Sequence, residues 1–315
     1  MTDVRLVDPV GRAIDPGALH VRTITIDAQR RARIRLIAQS AGLVVESPTE
    51  SHYGVGTAAR LRLPDGFTEP SRAEGVIDRL AAMPTDGVAV PVAFATIAFR
   101  AEEPAELIVP AVTLVSRPDE EVAVLVSADS GADVDELLDA CGAPVDEAPA
   151  PDTFLVTYPE SRDDYLRRVR DATAAIASGA FEKVVLARNC IVTANAPYRQ
   201  DALVAAIRRA QPKTTVFAID GFLGASPELL IARRGLRVAS TPLAGTVPHF
   251  SDADENAAMI ATLFASEKER FEHRMVVEEI EKVLTSCGAS LEVAPQPEPL
   301  ELATVTHLAT RITGT

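Results

Sequence analysis

An α+β fold built from layered sheets is what this sequence predicts, and three observations carry it. Strand-like and helix-like segments mix without a regular βα alternation, and several strands read as hairpins. The 315 residues are 47% hydrophobic and 24% charged, enough apolar mass for a large core in one big domain or two modest ones. No GxGxxG or phosphate-loop motif is present, so a doubly wound nucleotide fold has no support.

The elements follow in order. Val21 to Ile26, Ala58 to Leu63, Val88 to Phe99 and Glu121 to Val126 are strand-like, with Leu107-Ile108-Val109-Pro110 another short apolar piece. An acidic Pro/Ala connector over 143–153 divides the chain into an N-terminal half, 1–142, and a second half, 154–315. Beyond it, Ser161 caps a helix with Tyr165, Val169, Ala172 and Ile176 on one face, Asp164 completing a capping box and Gly179 the C-cap. Phe181 to Ala187 reads as a strand, Asp201 to Ala210 as a helix and Thr214 to Ile219 as a strand. Leu229 to Ala232 and Leu236 to Ala239 form a hairpin turning at Arg234-Gly235. No repeat of solenoid length is present.

Charge and cysteine usage narrow the partners. A net charge of −14 argues against nucleic acid and anionic membranes, so an anionic substrate needs a local cationic or metal-bearing pocket. Cys141, Cys190 and Cys287 are odd in number and widely spaced, which disfavours a disulfide framework or a zinc site. The first residues lack the apolar core of a signal peptide and no apolar run reaches membrane-spanning length, so a reducing cytoplasm is the expected compartment.

The run from Ser266 to Ile280 has no Gly or Pro and reads as a helix capped by Ser266. At about 100° per residue, Phe271, Met275, Val276, Ile280, Val283 and Leu284 sweep a broad apolar arc. Glu269, Glu272 and Glu279 fall inside it. A carboxylate aimed at a core is costly unless a cation or donor network compensates it. Two readings stand: a salt-bridged helix edge, or a hard-cation site, because Mg2+ is usually held by one or two carboxylates.

Four further positions could carry chemistry. Alternation places Lys183 on a strand whose two faces are both apolar, where a desolvated amine can act as a base; the bland alternative is a lysine that snorkels to solvent. Glu228, opening an apolar strand, is a general acid or a turn residue. The segment Thr241-Pro242-Leu243-Ala244-Gly245-Thr246 is a Gly-containing loop whose N–H groups could hold a carboxylate, or simply a turn. His307 is a packed or a functional histidine.

Taken together, Lys183 to Arg188, Ser226-Pro227-Glu228-Leu229, Pro242 to Thr246, Lys268-Glu269 with Glu272-His273, and His307-Leu308 resemble the chorismate-binding enzyme family. That family includes isochorismate, salicylate, anthranilate and aminodeoxychorismate synthases. The likeness runs from about Ser161 to Gly314. In the first half it is weak, through Tyr53 to Ala58 and Glu106 to Pro110.

The resemblance implies a layered α/β/α sandwich of the anthranilate synthase component I type and a Mg2+ cofactor. It implies Lys183 as the base activating water and Glu228 as the acid protonating the departing hydroxyl. Glu272 would bind the metal directly and Glu269 through water, while Ala244, Gly245, Thr246 and His307 would line the chorismate pocket. A lysine at position 183 favours water as nucleophile, where ammonia-using members typically have glutamine. Isochorismate synthase is therefore the expected activity, feeding menaquinone or siderophore synthesis, with salicylate synthase the alternative. No amidotransferase subunit is expected.

Family members continue beyond the position of Thr315 through a Pro-Thr-Pro turn, a helix and several strands that bring another metal-binding glutamate. The resemblance therefore implies a fold incomplete at the C-terminus. Such a chain would be truncated, completed by a C-terminal fragment, or a non-catalytic remnant acting as a binding protein.

Overall fold

A computed structural model describes residues 4–87, 90–142 and 150–315. The first two residues of the strand expected over Val88 to Phe99, most of the connector and the extreme N-terminus lie outside the described residues. The fold is α+β, as expected, and the chain divides into two compact units, Met1–Ala148 with Arg199–Pro227, and Pro149–Tyr198 with Glu228–Thr315.

In chain order the first stretch gives β1 (Arg5–Val7), β2 (His20–Ile24), α1 (Ala28–Ala41), β3 (Leu43–Glu46), β4 (Ser51–Val55) and β5 (Ala59–Leu63). Then come α2 (Pro70–Ala81), β6 (Phe94–Thr96), β7 (Ala105–Val109), β8 (Val112–Arg117), β9 (Glu120–Ser127) and α3 (Val134–Ala140). The second unit opens with β10 (Phe154–Thr157), α4 (Arg162–Ala177) and β11 (Ile191–Ala194). The chain then returns to the first unit for α5 (Gln200–Ala210), β12 (Thr215–Ile219) and β13 (Phe222–Ser226). The rest belongs to the second: β14 (Leu229–Arg234), β15 (Arg237–Thr241), β16 (Leu243–Pro248), α6 (Ala253–Ala265), α7 (Glu267–Ser286), β17 (Leu291–Val293), β18 (Glu298–Glu301), β19 (Val305–Ala309) and β20 (Ile312–Gly314).

The return of 199–227 departs from the linear division at 143–153. Its cause is strand pairing. β12 pairs antiparallel with β3, Val216 opposite Glu46 and Ala218 opposite Val44, so the segment completes the first unit's seven-stranded sheet β13-β12-β3-β4-β8-β9-β2. Alternating apolar residues on β3, β4, β8, β9 and β12 face α1, and Ile34, Val44, Leu114 and Ala218 are fully buried there. The Gln200 side chain fastens the start of α5 by donating to the carbonyls of Ala38, Gln39 and Gly42 around the end of α1.

The second unit is built on two small sheets, β14-β15-β20-β17 and β16-β19-β18, beside the β10-β11 ribbon. Both expected caps form: Ser161 Oγ accepts from the Asp164 N–H at 3.1 Å and Ser266 Oγ from the Glu269 N–H at 3.3 Å. The β14–β15 hairpin turns at Gly235, whose φ is +60°. Phe181 to Ala187, however, is irregular backbone and not a strand, with Val185 80% exposed. An apolar alternating run becomes a strand only if another strand takes up its N–H and C=O groups. Here the Ala187 carbonyl is taken by Arg168 Nη2 at 2.9 Å, and Arg188 stacks over Tyr158.

Candidate active site

Every residue that the sequence singled out for chemistry belongs to the second unit. The centre of the arrangement is a change of sheet. Strand β15 runs into β16 through Pro242, and β19 runs into β20 through Thr310, so two chain segments pass from one sheet to the other at one level. The Thr310 N–H donates to the Pro242 carbonyl at 3.3 Å, closing that junction.

Glu228 stands immediately before β14, and its Oε1 accepts from the Leu243 N–H, the first of β16, at 3.3 Å. Two residues on, the expected loop proves to be part of β16 with a bulge: the register with β19 shifts between Ala244 and Thr246, leaving Gly245 unpaired. Gly245 has φ +77°, which favours glycine, and a Cβ there would also sit tightly against Glu269 atoms at 3.3–3.4 Å. The turn expected from sequence is thus a strand kink whose hand only glycine accepts.

The bulge aims its neighbours at α7 and β19. The Thr246 N–H donates to Glu269 Oε2 at 3.1 Å, and Thr246 Oγ1 lies 2.9 Å from His307 Nδ1. This fits the expectation that N–H groups of the segment could hold a carboxylate, although the carboxylate is the protein's own. On α7, Glu269 and Glu272 share one cation, Lys268 Nζ, at 3.0 and 3.1 Å. Hydrogen bonds from the ammonium to Glu269 and Glu272 raise the Lys268 pKa above its usual value. The glutamate side chains are 20% and 32% exposed, so the pair is accessible at the surface.

Two expectations about α7 change. Glu279 lines the apolar arc as expected, but it is 65% exposed and pairs with Lys282 and not with a core. The apolar arc is also unsealed: Ile280, Val283 and Leu284 line an open groove of ≈ 300 Å³ with Leu230 and Ile231. The fully buried residue of α7 is instead His273, at 4% exposure. Its Nε2 lies 2.7 Å from Thr310 Oγ1, while its Nδ1 is buried with no hydrogen-bond partner. Burial lowers its pKa, the Ala244 backbone opposes that, and the positive charge of Lys183 adds to the lowering. Lys183 itself is half-buried on irregular backbone.

His273 and Thr310 are the residues to which sequence reasoning gave no role. A signal was available for the first. The same ~100° advance places His273 inside the apolar arc, between Ile280 and Leu284, where only a neutral ring is tolerable. Among the described residues, no group of three or more His, Cys, Asp or Glu side chains gathers as a metal cluster. Nor is any helix among them long and apolar enough to cross a membrane.

Comparison with known proteins supplies the family. Residues 76–315 match the family described as "Chorismate binding enzyme", and the chain belongs to that family. It is 38% identical over 165 residues to the putative isochorismate synthase MenF of Mycobacterium tuberculosis, covering 48% of this chain and 44% of that one. The chain thus spans less than half the length of that relative in the matched region. Its fold is similar to that of the menaquinone-specific isochorismate synthase MenF from Escherichia coli, with a TM-score of 0.75 at 22% identity over 99% of this chain and 72% of that one. Anthranilate synthase component I from Streptococcus pneumoniae shares it more distantly, with a TM-score of 0.51 at 15% identity over 100% of this chain and 67% of that one.

Proposed function

We propose that this chain carries the reaction centre of a Mg2+-dependent isochorismate synthase. The observation that supports it best is the convergence of Glu228, the Gly245 bulge, Glu269 and His307 on one strand junction within a member of the chorismate-binding family. The similarity to MenF favours isochorismate as product.

In this reading Lys183 takes a proton from water as the oxygen bonds to C2 of the ring. The double bond shifts, the C4–O bond breaks, and the departing hydroxyl takes the proton of Glu228 and leaves as water. One water enters and one leaves, so product and substrate are isomers. Glu272, with Glu269 through water, would hold Mg2+; the pair suits it, offering hard oxygen donors that already hold the Lys268 ammonium. When bound, Mg2+ supplies positive charge for a substrate carboxylate, against a chain of net charge −14. Ala244, Gly245, Thr246 and His307 line the substrate side.

The test is turnover of chorismate by the purified protein, followed chromatographically with and without Mg2+. Glu228→Gln is expected to lower kcat by at least about 100-fold, the usual worth of a general acid. Undiminished turnover in that variant contradicts its role, and turnover indifferent to EDTA contradicts the metal. Release of pyruvate would make the activity that of a salicylate synthase, and no turnover at saturating substrate and Mg2+ would leave a binding role.

A further inference from the structure

We propose that His273 is a positioning residue, latching α7 through Thr310 to the point where β15–β16 and β19–β20 change sheet. It thereby sets the distance between the α7 carboxylates and the Gly245–Thr246 bulge. The part concerning a cation rests on the function proposed above; the latch does not.

Three observations carry it. His273 is the buried residue of α7, while its neighbours Glu272 and Arg274 face outward, so the ring is the helix's inward anchor. Its Nε2 meets a hydroxyl that is itself 4% exposed, on a residue whose N–H is spent on Pro242. One buried contact therefore joins the helix to both segments crossing between the sheets. Finally, Glu269 lies one turn before His273, and its Oε2 takes the Thr246 N–H from the bulge. Beside its packing on β16 and α6, the helix is thus tied to the junction by a buried contact at His273 and by the Glu269 carboxylate.

The consequence is specific. If Thr310 loses its hydroxyl, His273 keeps its burial and its place beside the Ala244 backbone but loses its hydrogen bond to a side chain across the junction. The helix is then free to shift along the junction, and the Thr246–Glu269 bond, at the far end of that lever, opens first. A general loss of stability would instead loosen α6 and α7 together.

The experiment compares wild type, Thr310→Val and Thr310→Ser by backbone amide exchange, with Mn2+ binding followed by electron paramagnetic resonance. Thr310→Val is expected to speed exchange over 243–248 by about tenfold, the size of one lost hydrogen bond. It should weaken Mn2+ binding by a similar factor and leave α6 as protected as in wild type. Thr310→Ser, which keeps the hydroxyl, is expected to behave as wild type in both. If Thr310→Val fails to fold, Thr310→Ala carries the same expectation. Exchange over 243–248 within twofold of wild type, or faster exchange spread evenly through α6, overturns the latch. A wild type that binds no Mn2+ refutes the metal reading alone, because exchange over 243–248 still decides the latch.

Discussion

The two units solve the burial problem differently. In the first, a seven-stranded sheet covered by α1, α3 and α5 and a four-stranded sheet below it hold three of the four hydrophobic clusters among the described residues. In the second, the single cluster is small, built on Val247, Leu263 and Leu308, and α4 has no buried residue at all. Leu155, Val185, Leu230 and Leu236 there are between 63% and 80% exposed. The better-buried unit carries none of the candidate chemistry. Among the described residues, the side chains proposed to carry chemistry thus lie in the unit with the smaller core and the more open apolar surface.

Core truncation should break this comparison most visibly. Leu114→Ala, at a fully buried position in the first unit, is expected to cost about 2–5 kcal/mol in urea unfolding, whereas Val185→Ala should stay within about 0.5 kcal/mol of wild type. Equal losses would mean that the exposed segment is in fact packed. Ion pairs should follow the same division. Glu46 is 7% exposed and is held by Arg208 and by Gln39 at 3.1 Å, so Arg208→Ala strands a buried carboxylate at a cost of about 1–3 kcal/mol. Arg168→Ala, which removes the 43% exposed partner of the partly exposed Glu160, should cost less than about 1 kcal/mol by the same measurement.

Gly245→Ala sharpens the contrast from the other side, because it tests a left-handed backbone position within the candidate site. A φ of +77° and contacts at 3.3 Å to Glu269 predict a loss of about 1 kcal/mol in thermal unfolding. Wild-type stability with wild-type turnover would show that the bulge is not needed. The smallest effect concerns pH. Burial pushes the Glu106 carboxyl up, but hydrogen bonds from Arg62 at 2.6 Å and from Arg60 outweigh it and hold the group below its ordinary value. A depressed carboxyl contributes stability that is present above the unfolded value, near 4.5, and is lost as pH falls through the folded one. The first unit should therefore weaken on acidification below about pH 4.5, and Glu106→Gln should flatten that slope. An unchanged slope in the variant would remove Glu106 from the account.

What was legible in the sequence is what local chemistry decides. Ser161 and Ser266 announced their helices because an N-cap is a contact between neighbours in the chain, and Arg234-Gly235 announced a hairpin because the turn needs a left-handed residue. The placement of the Glu269–Glu272 pair was legible too, because an acidic pair one turn apart on a helix is a spacing. What stayed hidden depends on distant pairing. The strand expected at Phe181 to Ala187 lacks a ladder, 199–227 belongs with β3, and the glycine loop is a bulge opposite β19. His273 was overlooked because its value comes from Thr310, 37 residues away in the chain. A period of 3.6 or 2 names a face and is silent about what will meet it.

The most direct test of the central claim is isotopic. Chorismate is converted by the wild-type protein with Mg2+ in 18O-enriched water, and the product is analysed by mass spectrometry and NMR. Addition of water at C2 with loss of the C4 hydroxyl predicts isochorismate with one 18O, located on C2, formed at least about 100-fold more slowly by Glu228→Gln. Isochorismate formed with its original oxygen retained, or formed equally by the Glu228→Gln variant, would contradict the mechanism assigned to Lys183 and Glu228.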